Sequence, residues 1–252
     1  MRSSIVSLMA LSILSQGASA QARSQTVPFV GCAADGQGGH VAPPQGEPKV
    51  VDSSTSPLEG IAYYQGEQLL GVFAPAGWHC HIWYGSGGSS ILVTPTPIDT
   101  VDAPYDAKVS GPAVELTVDD GGTSGRFEVA TYGARLFPTA LAGFIARVKA
   151  EHLAPDSEFD SRQFAHDAVV AMSRSEAAFT TPARARGLGT RESLGPSSTP
   201  IRGIAILTAD PQEPDLVILG VRLSTAYGRL ESAVLELNRL CMEAGDACAG
   251  PQ

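Results

Sequence analysis

The sharpest chemical feature of the chain is His79-Cys80-His81, set in the apolar run Trp78 to Tyr84. In an extended chain side chains alternate, so Trp78, Cys80, Ile82 and Tyr84 share one face, and His79, His81 and Trp83 share the other. Two imidazoles at that spacing can give two ligands to one Zn or Cu ion. A complete site needs a third and usually a fourth donor, for which Asp35, His40, His152 and His166 are the candidates. Two histidines packed beside Trp83 on a half-exposed sheet explain the same pattern without an ion, and that account is simpler. His79 and His81 thus stand as an alternative metal pair, and no residue is assigned a catalytic or cofactor-binding role.

Other residues of catalytic type carry less. Tyr84-Gly85-Ser86-Gly87-Gly88 has Tyr where a nucleophile elbow needs Gly, and a strand rather than a helix follows. Gly36 to Gly39 precede Pro43-Pro44, where a phosphate-binding loop would open a helix. Asp119-Asp120 lack the alternating oxygen ligands of a calcium loop and read as turn residues. His152 ends a helical stripe, where the helix dipole favours its cation. His166 and Asp167 are adjacent on an expected helix, so their side chains diverge.

Four cysteines, Cys32, Cys80, Cys241 and Cys248, allow three pairings of two disulfides. Spacing favours Cys241–Cys248: Leu230, Val234, Leu237 and Cys241 line one helix face, and Gly245 can reverse the chain after it. Cys32–Cys80 follows by elimination and would tie the N-terminal segment to a central strand.

The elements that must position these residues are legible in part. Residues 21–57 are rich in Gly, Pro and Ser and read as extended or irregular, and Leu58 to Gln68 as a short helix. Leu69 to Ala74 reads as a strand. Trp78 to Tyr84 and Ser90 to Thr94 form a hairpin, and residues 95–112 a long loop or sub-boundary. Ala113 to Val118 and Arg126 to Tyr132 alternate and read as a second hairpin across Asp119-Asp120-Gly121-Gly122. An amphipathic helical hairpin is expected from Thr139 to Leu153 and from Ser157 to Met172, a loop over 180–200, strands at Gly203 to Thr208 and Leu216 to Leu223, and a C-terminal helix from Tyr227 to Ala244. Strands and helices are segregated, so the class is α+β with a mostly antiparallel sheet of hairpins.

Arg2, the apolar stretch Ile5 to Leu14 and the small residues Ala18-Ser19-Ala20 have the layout of a cleaved export signal. Residues 1–20 are read as that signal and 21–252 as one globular domain, placed in the periplasm or outside the cell. Beyond the signal no apolar stretch is long enough to span a bilayer. The net charge of −9, with no basic stripe interleaved with aromatics, argues against nucleic acid as a partner. Arg outnumbers Lys fourteen to three, a bias that suits a GC-rich bacterial genome.

Val27 to Gly39 (VPFVGCAADGQGG) and Gly77 to Pro95 (GWHCHIWYGSGGSSILVTP) resemble segments of exported bacterial proteins of unassigned function. Gly187 to Gly203 fits the same pattern. The resemblance implies export and supplies no chemistry. The sequence therefore leans away from an enzyme, towards a disulfide-braced binding or interaction protein without cofactor, acting on a partner protein or an envelope or extracellular ligand. The alternative is a metal-dependent enzyme or metal carrier built on His79 and His81.

Overall fold

The computed structural model describes residues 23–53, 58–67, 70–98, 108–208, 210 and 212–245. The expected export signal, Cys248 and the middle of the 95–112 loop lie outside the described residues. In chain order the elements are β1 (Arg23–Val27), β2 (Phe29–Gly31), β3 (Ala33–Gly36), β4 (Lys49–Ser53), β5 (Ile61–Gln65), β6 (Gly71–Pro75), β7 (His79–Gly85), β8 (Gly88–Thr94) and β9 (Ala113–Asp119). Helices α1 (Arg126–Leu136) and α2 (Ala142–Ala150) follow, then β10 (Ala168–Ala171), β11 (Glu176–Thr181), β12 (Ile201–Leu207), β13 (Leu216–Arg222) and helix α3 (Glu231–Glu243). The fold is α+β and mostly antiparallel.

One eight-stranded sheet organises the molecule, in the order β10-β11-β12-β13-β9-β8-β7-β3. Every pairing in it is antiparallel except that of β3 with β7. A three-stranded sheet β2-β5-β6 and a ribbon β1-β4 complete the strands.

Alternation gives the large sheet two different faces. On one, Ile82, Ile91, Leu116 and Leu219 join β5, β6 and α3 in a core. Helix α3 docks there through Asn238, which is fully buried, accepts from the Phe73 amide and donates to the Phe73 carbonyl, each at 2.8 Å. On the other face Ala177, Phe179, Ala205, Leu216 and Ile218 pack under α1 and α2. Gly133 of α1 faces Leu141, whose Cδ1 would lie 2.2 Å from any Cβ there, so a side chain at 133 would require the Leu141 side chain to shift.

Several expectations are corrected. Leu58 to Gln68 is not a helix: Ile61–Gln65 is β5, the middle strand of its sheet, with Ile61 to Tyr64 all buried. The segment before it, read as extended or irregular, holds four short strands. Arg126 to Tyr132 is not a strand but the first turns of α1, whose buried stripe (Val129, Ala130, Gly133, Ala134) has helical period. The helical hairpin therefore exists, but it is α1 with α2. Ser157 to Met172 is not a helix: two 3-10 turns, Asp156–Phe159 and Ser161–Phe164, lead into β10. Asp160, in extended backbone, ends the first turn and caps the second with its carboxylate, and the β-branched Val169 and Val170 favour a strand.

The disulfide expected between Cys32 and Cys80 is present, with Cα atoms 5.4 Å apart. Cys241 is also disulfide-bonded. No helix among the described residues is long and apolar enough to cross a membrane.

Candidate functional site

The core under α1 and α2 does not extend across the whole sheet. Beyond β13 the same face carries Glu115, Thr117 and Asp119 on β9, Ser90 on β8, and His81 and Trp83 on β7, matched by register. A polar stripe thus crosses a central strand, where apolar packing would be the default.

Over this stripe lies a groove of about 770 Å³. Its floor is formed by Trp83, Ser90 and Thr117. One wall is β3 and the loop after it, with Asp35 and Gln37. The opposite wall is the start of α1, with Phe127 and Glu128, together with Arg191 and Glu192. The β7–β8 turn forms the rim, held to its neighbours by hydrogen bonds of Ser86 with Ser124 (3.3 Å) and Gln37 (3.5 Å). Helix α1 starts against this turn only because residue 125 is glycine. A Cβ there would sit 2.0 Å from the Gly87 carbonyl oxygen.

The charged centre of the groove is a fork-to-fork pair. Arg191 Nη1 and Nη2 donate to the two oxygens of Asp119 at 2.7 and 3.0 Å, and the guanidinium stacks 4.3 Å above the ring of Tyr132. Nη2 is also 3.5 Å from Glu192. The Arg191 side chain is only 3% exposed, and its Nε has no hydrogen-bond partner. Burial pushes the Asp119 carboxyl up to about 7 against the pull of Arg191, and burial pushes the Tyr132 phenol up to about 12.

Beneath the loop that carries Arg191 lies a second layer of buried charge. Glu115 accepts from the Ser193 amide at 2.8 Å. Burial raises its pKa above the ordinary carboxylate range. Arg222, also buried, donates to the carbonyls of Gly111 (2.7 Å), Gly195 (2.6 Å) and Val109 (2.5 Å). These contacts fasten residues 109–111 and 193–195 to the sheet and hold Arg191 in the groove wall.

The sequence-derived residues separate at this point. His81 is buried, its ring 4.8 Å from that of Trp83 in an edge-on contact, whereas His79 is exposed at the far end of β7. The parallel pairing of β3 with β7 brings Asp35 between two imidazoles. Its Oδ1 lies 3.0 Å from His40 Nδ1 and its Oδ2 lies 3.0 Å from His81 Nε2, the latter without the alignment of a hydrogen bond. Burial lowers the His81 pKa more than Asp35 raises it. His152 follows α2 and His166 the second 3-10 turn, so both belong to the helical layer. Among the described residues no three His, Cys, Asp or Glu side chains are placed to share a metal ion.

Asp119 and Arg191, the centre of the groove, carry no sequence motif. One signal was present: in Glu115-Leu116-Thr117-Val118-Asp119 every second residue is polar on a strand with apolar neighbours in sequence. Compared with protein-family models, curated proteins and solved structures, the chain matches none.

Proposed function

We propose that this protein is an exported, disulfide-braced binding protein that takes a ligand, without a cofactor, in the groove over β7, β8 and β9. The observation that carries the reading is the groove itself. At about 770 Å³ it falls within the range of about 300–1,000 Å³ usual for ligand sites. It lies where a polar stripe replaces apolar packing, with a buried Arg191–Asp119 pair in its wall. Export is supported by the layout of residues 1–20, by the resemblance of two segments to exported bacterial proteins, and by the disulfide, which persists in oxidising compartments. The metal-dependent alternative has less support. His79 stands apart, and Asp35 already engages both imidazoles that converge.

The test uses protein from its native host. The exported form should begin at Gln21; intact Met1 on a cytoplasmic species overturns export. Native mass spectrometry after exposure to host envelope extract should show a retained small molecule. Ser90→Trp, which fills the groove from its floor, should lose that molecule at unchanged thermal stability. No adduct, or an adduct indifferent to Ser90→Trp, overturns the groove as a site. Elemental analysis without chelators should find substoichiometric Zn and Cu; a full equivalent lost in His79→Ala/His81→Ala promotes the metal reading.

A further inference from the structure

We infer that the groove binds a neutral polyhydroxylated ligand, a segment of glycan, with Trp83 as the surface on which a sugar ring lies. The inference rests on the groove reading above and names the class of its ligand.

Charge is the first argument. The groove is lined by the carboxylates of Asp35, Asp119, Glu128 and Glu192 against a single guanidinium, that of Arg191. Asp35 holds His40 and His81, while Asp119 and Glu192 lie against Arg191. An anion would meet the carboxylates of Asp35, Glu128 and Glu192. A cation would be drawn to those carboxylates but would leave the hydrogen-bond donors of the walls and floor without acceptors. A neutral polyhydroxylated ligand escapes the repulsion and can also accept from those donors.

Hydrogen-bonding capacity is the second. The walls mix acceptors (Glu128 and Glu192) with donors (the Gln37 amide and Arg191), and the floor adds the hydroxyls of Ser90 and Thr117. An alcohol both donates and accepts, so one row of hydroxyl groups satisfies all of these, whereas an amine only donates and a carboxylate only accepts.

Shape is the third. Trp83 is half-buried on the floor, fixed edge-on against the buried His81, and Phe127 lines the opposite wall. Flat aromatic surface beside polar groups suits a molecule with an apolar C–H face and a hydroxylated rim.

The fluorescence of the mature protein provides the assay, because it has only two tryptophans. Trp78 is 6% exposed and packed against Tyr227, so a ligand-dependent change reports Trp83. Neutral oligosaccharides of glucose and of N-acetylglucosamine are titrated in one arm, and co-sedimentation with insoluble cell-wall glycan forms a second. Spermidine and a basic peptide form a third. The expected result is a saturable change with an oligosaccharide, insensitive to salt, with affinity lowered about tenfold, or 1.4 kcal/mol, by Trp83→Ala. Glu128→Gln, a change on the exposed side of α1, should weaken binding too and keeps the test independent of folding. Binding in the soluble arm indicates a free saccharide, and binding only to the insoluble glycan indicates the wall. Salt-dependent binding of the amines, lost in the same variants, overturns the glycan and leaves the groove as a ligand site. Silence in all three arms, with no adduct from envelope extract, overturns both.

Discussion

Replacing Cys32 and Cys80 by serine removes the cross-link nearest the groove, and its effect can be worked from the chain. The bridge joins residues 48 apart in sequence. In the chain-entropy model a loop of that length contributes about 4 kcal/mol through the unfolded state. At about 2–4 °C per kcal/mol for a protein of this size, the melting temperature should fall by about 8–16 °C. The loss should also have a local part. Strand β3 is an edge strand paired only to β7, with an isolated bridge from Ala34 to Val41 beyond it. Cys32 directly precedes β3, and Asp35 within it forms part of the groove wall. Urea denaturation of Cys32→Ser/Cys80→Ser should therefore show a lower midpoint with a larger m, because the unfolded chain freed of the cross-link exposes more surface. Hydrogen exchange at residues 33–36 should accelerate more than at β12 and β13. A variant with the wild-type midpoint would refute the entropic argument. Uniform acceleration across the sheet would refute the placing of the bridge as an anchor for β3.

Two further perturbations test the buried charges. Arg222→Met should destabilise by about 3–5 kcal/mol, because it strips three carbonyls of their donor and leaves Glu115 beside an emptied position; a loss below about 1 kcal/mol in urea titration, the range of an exposed pair, contradicts the clamp. With pH, Glu115, Asp119 and Asp167 have folded pKa values raised by burial, so between about pH 4.5 and 7 the folded state holds protons that the unfolded state has released. Stability should fall as pH rises through that window, and Asp119→Asn should flatten the fall. His81 acts oppositely, its lowered pKa costing stability as pH drops below 6.5, but it is one group against five, since burial raises Glu128 and Asp215 as well. Stability that climbs from pH 4.5 to 7 contradicts this assignment.

How much was legible in the sequence depended on how each element is buried. β7 and β9 alternate because one face is the core shared with β5, β6 and α3 and the other carries the groove residues, and α3 shows its stripe over a full helix length. β5 misled because Ile61 to Tyr64 is buried on both faces, which erases alternation, while Gly60 and Gly66 suggest a frayed helix. α1 misled in the opposite way: Phe127, Val129 and Thr131 alternate over seven residues, and the helical stripe emerges only when Gly133, Ala134 and Leu136 are included. In the site, the face carrying His81 and Trp83 was readable from period alone. Its partners were not, because Asp35 arrives by a parallel pairing and Arg191 lies 72 residues from Asp119. Long-range pairing leaves no local trace, and neither contact required a rare residue type.

The polar stripe on β9 makes sense as a cost carried for a purpose. Burying the Arg191–Asp119 pair is weak support for stability, since well-packed apolar side chains of similar volume are often as stabilising or better. The apolar solution is already in use next door, where Leu216 and Ile218 of β13 pack under α1 and α2 on the same face. Extending it by one strand would have needed only Leu or Val at 115, 117 and 119. Instead the chain places Glu115, Thr117 and Asp119 there and recruits Arg191, Ser193 and Arg222 to satisfy them. Departures from local packing rules concentrate where a fold does work. Here the departure coincides with the groove, and it fastens the loop bearing Arg191 to β9 so that Arg191 and Glu192 form one wall beside Trp83.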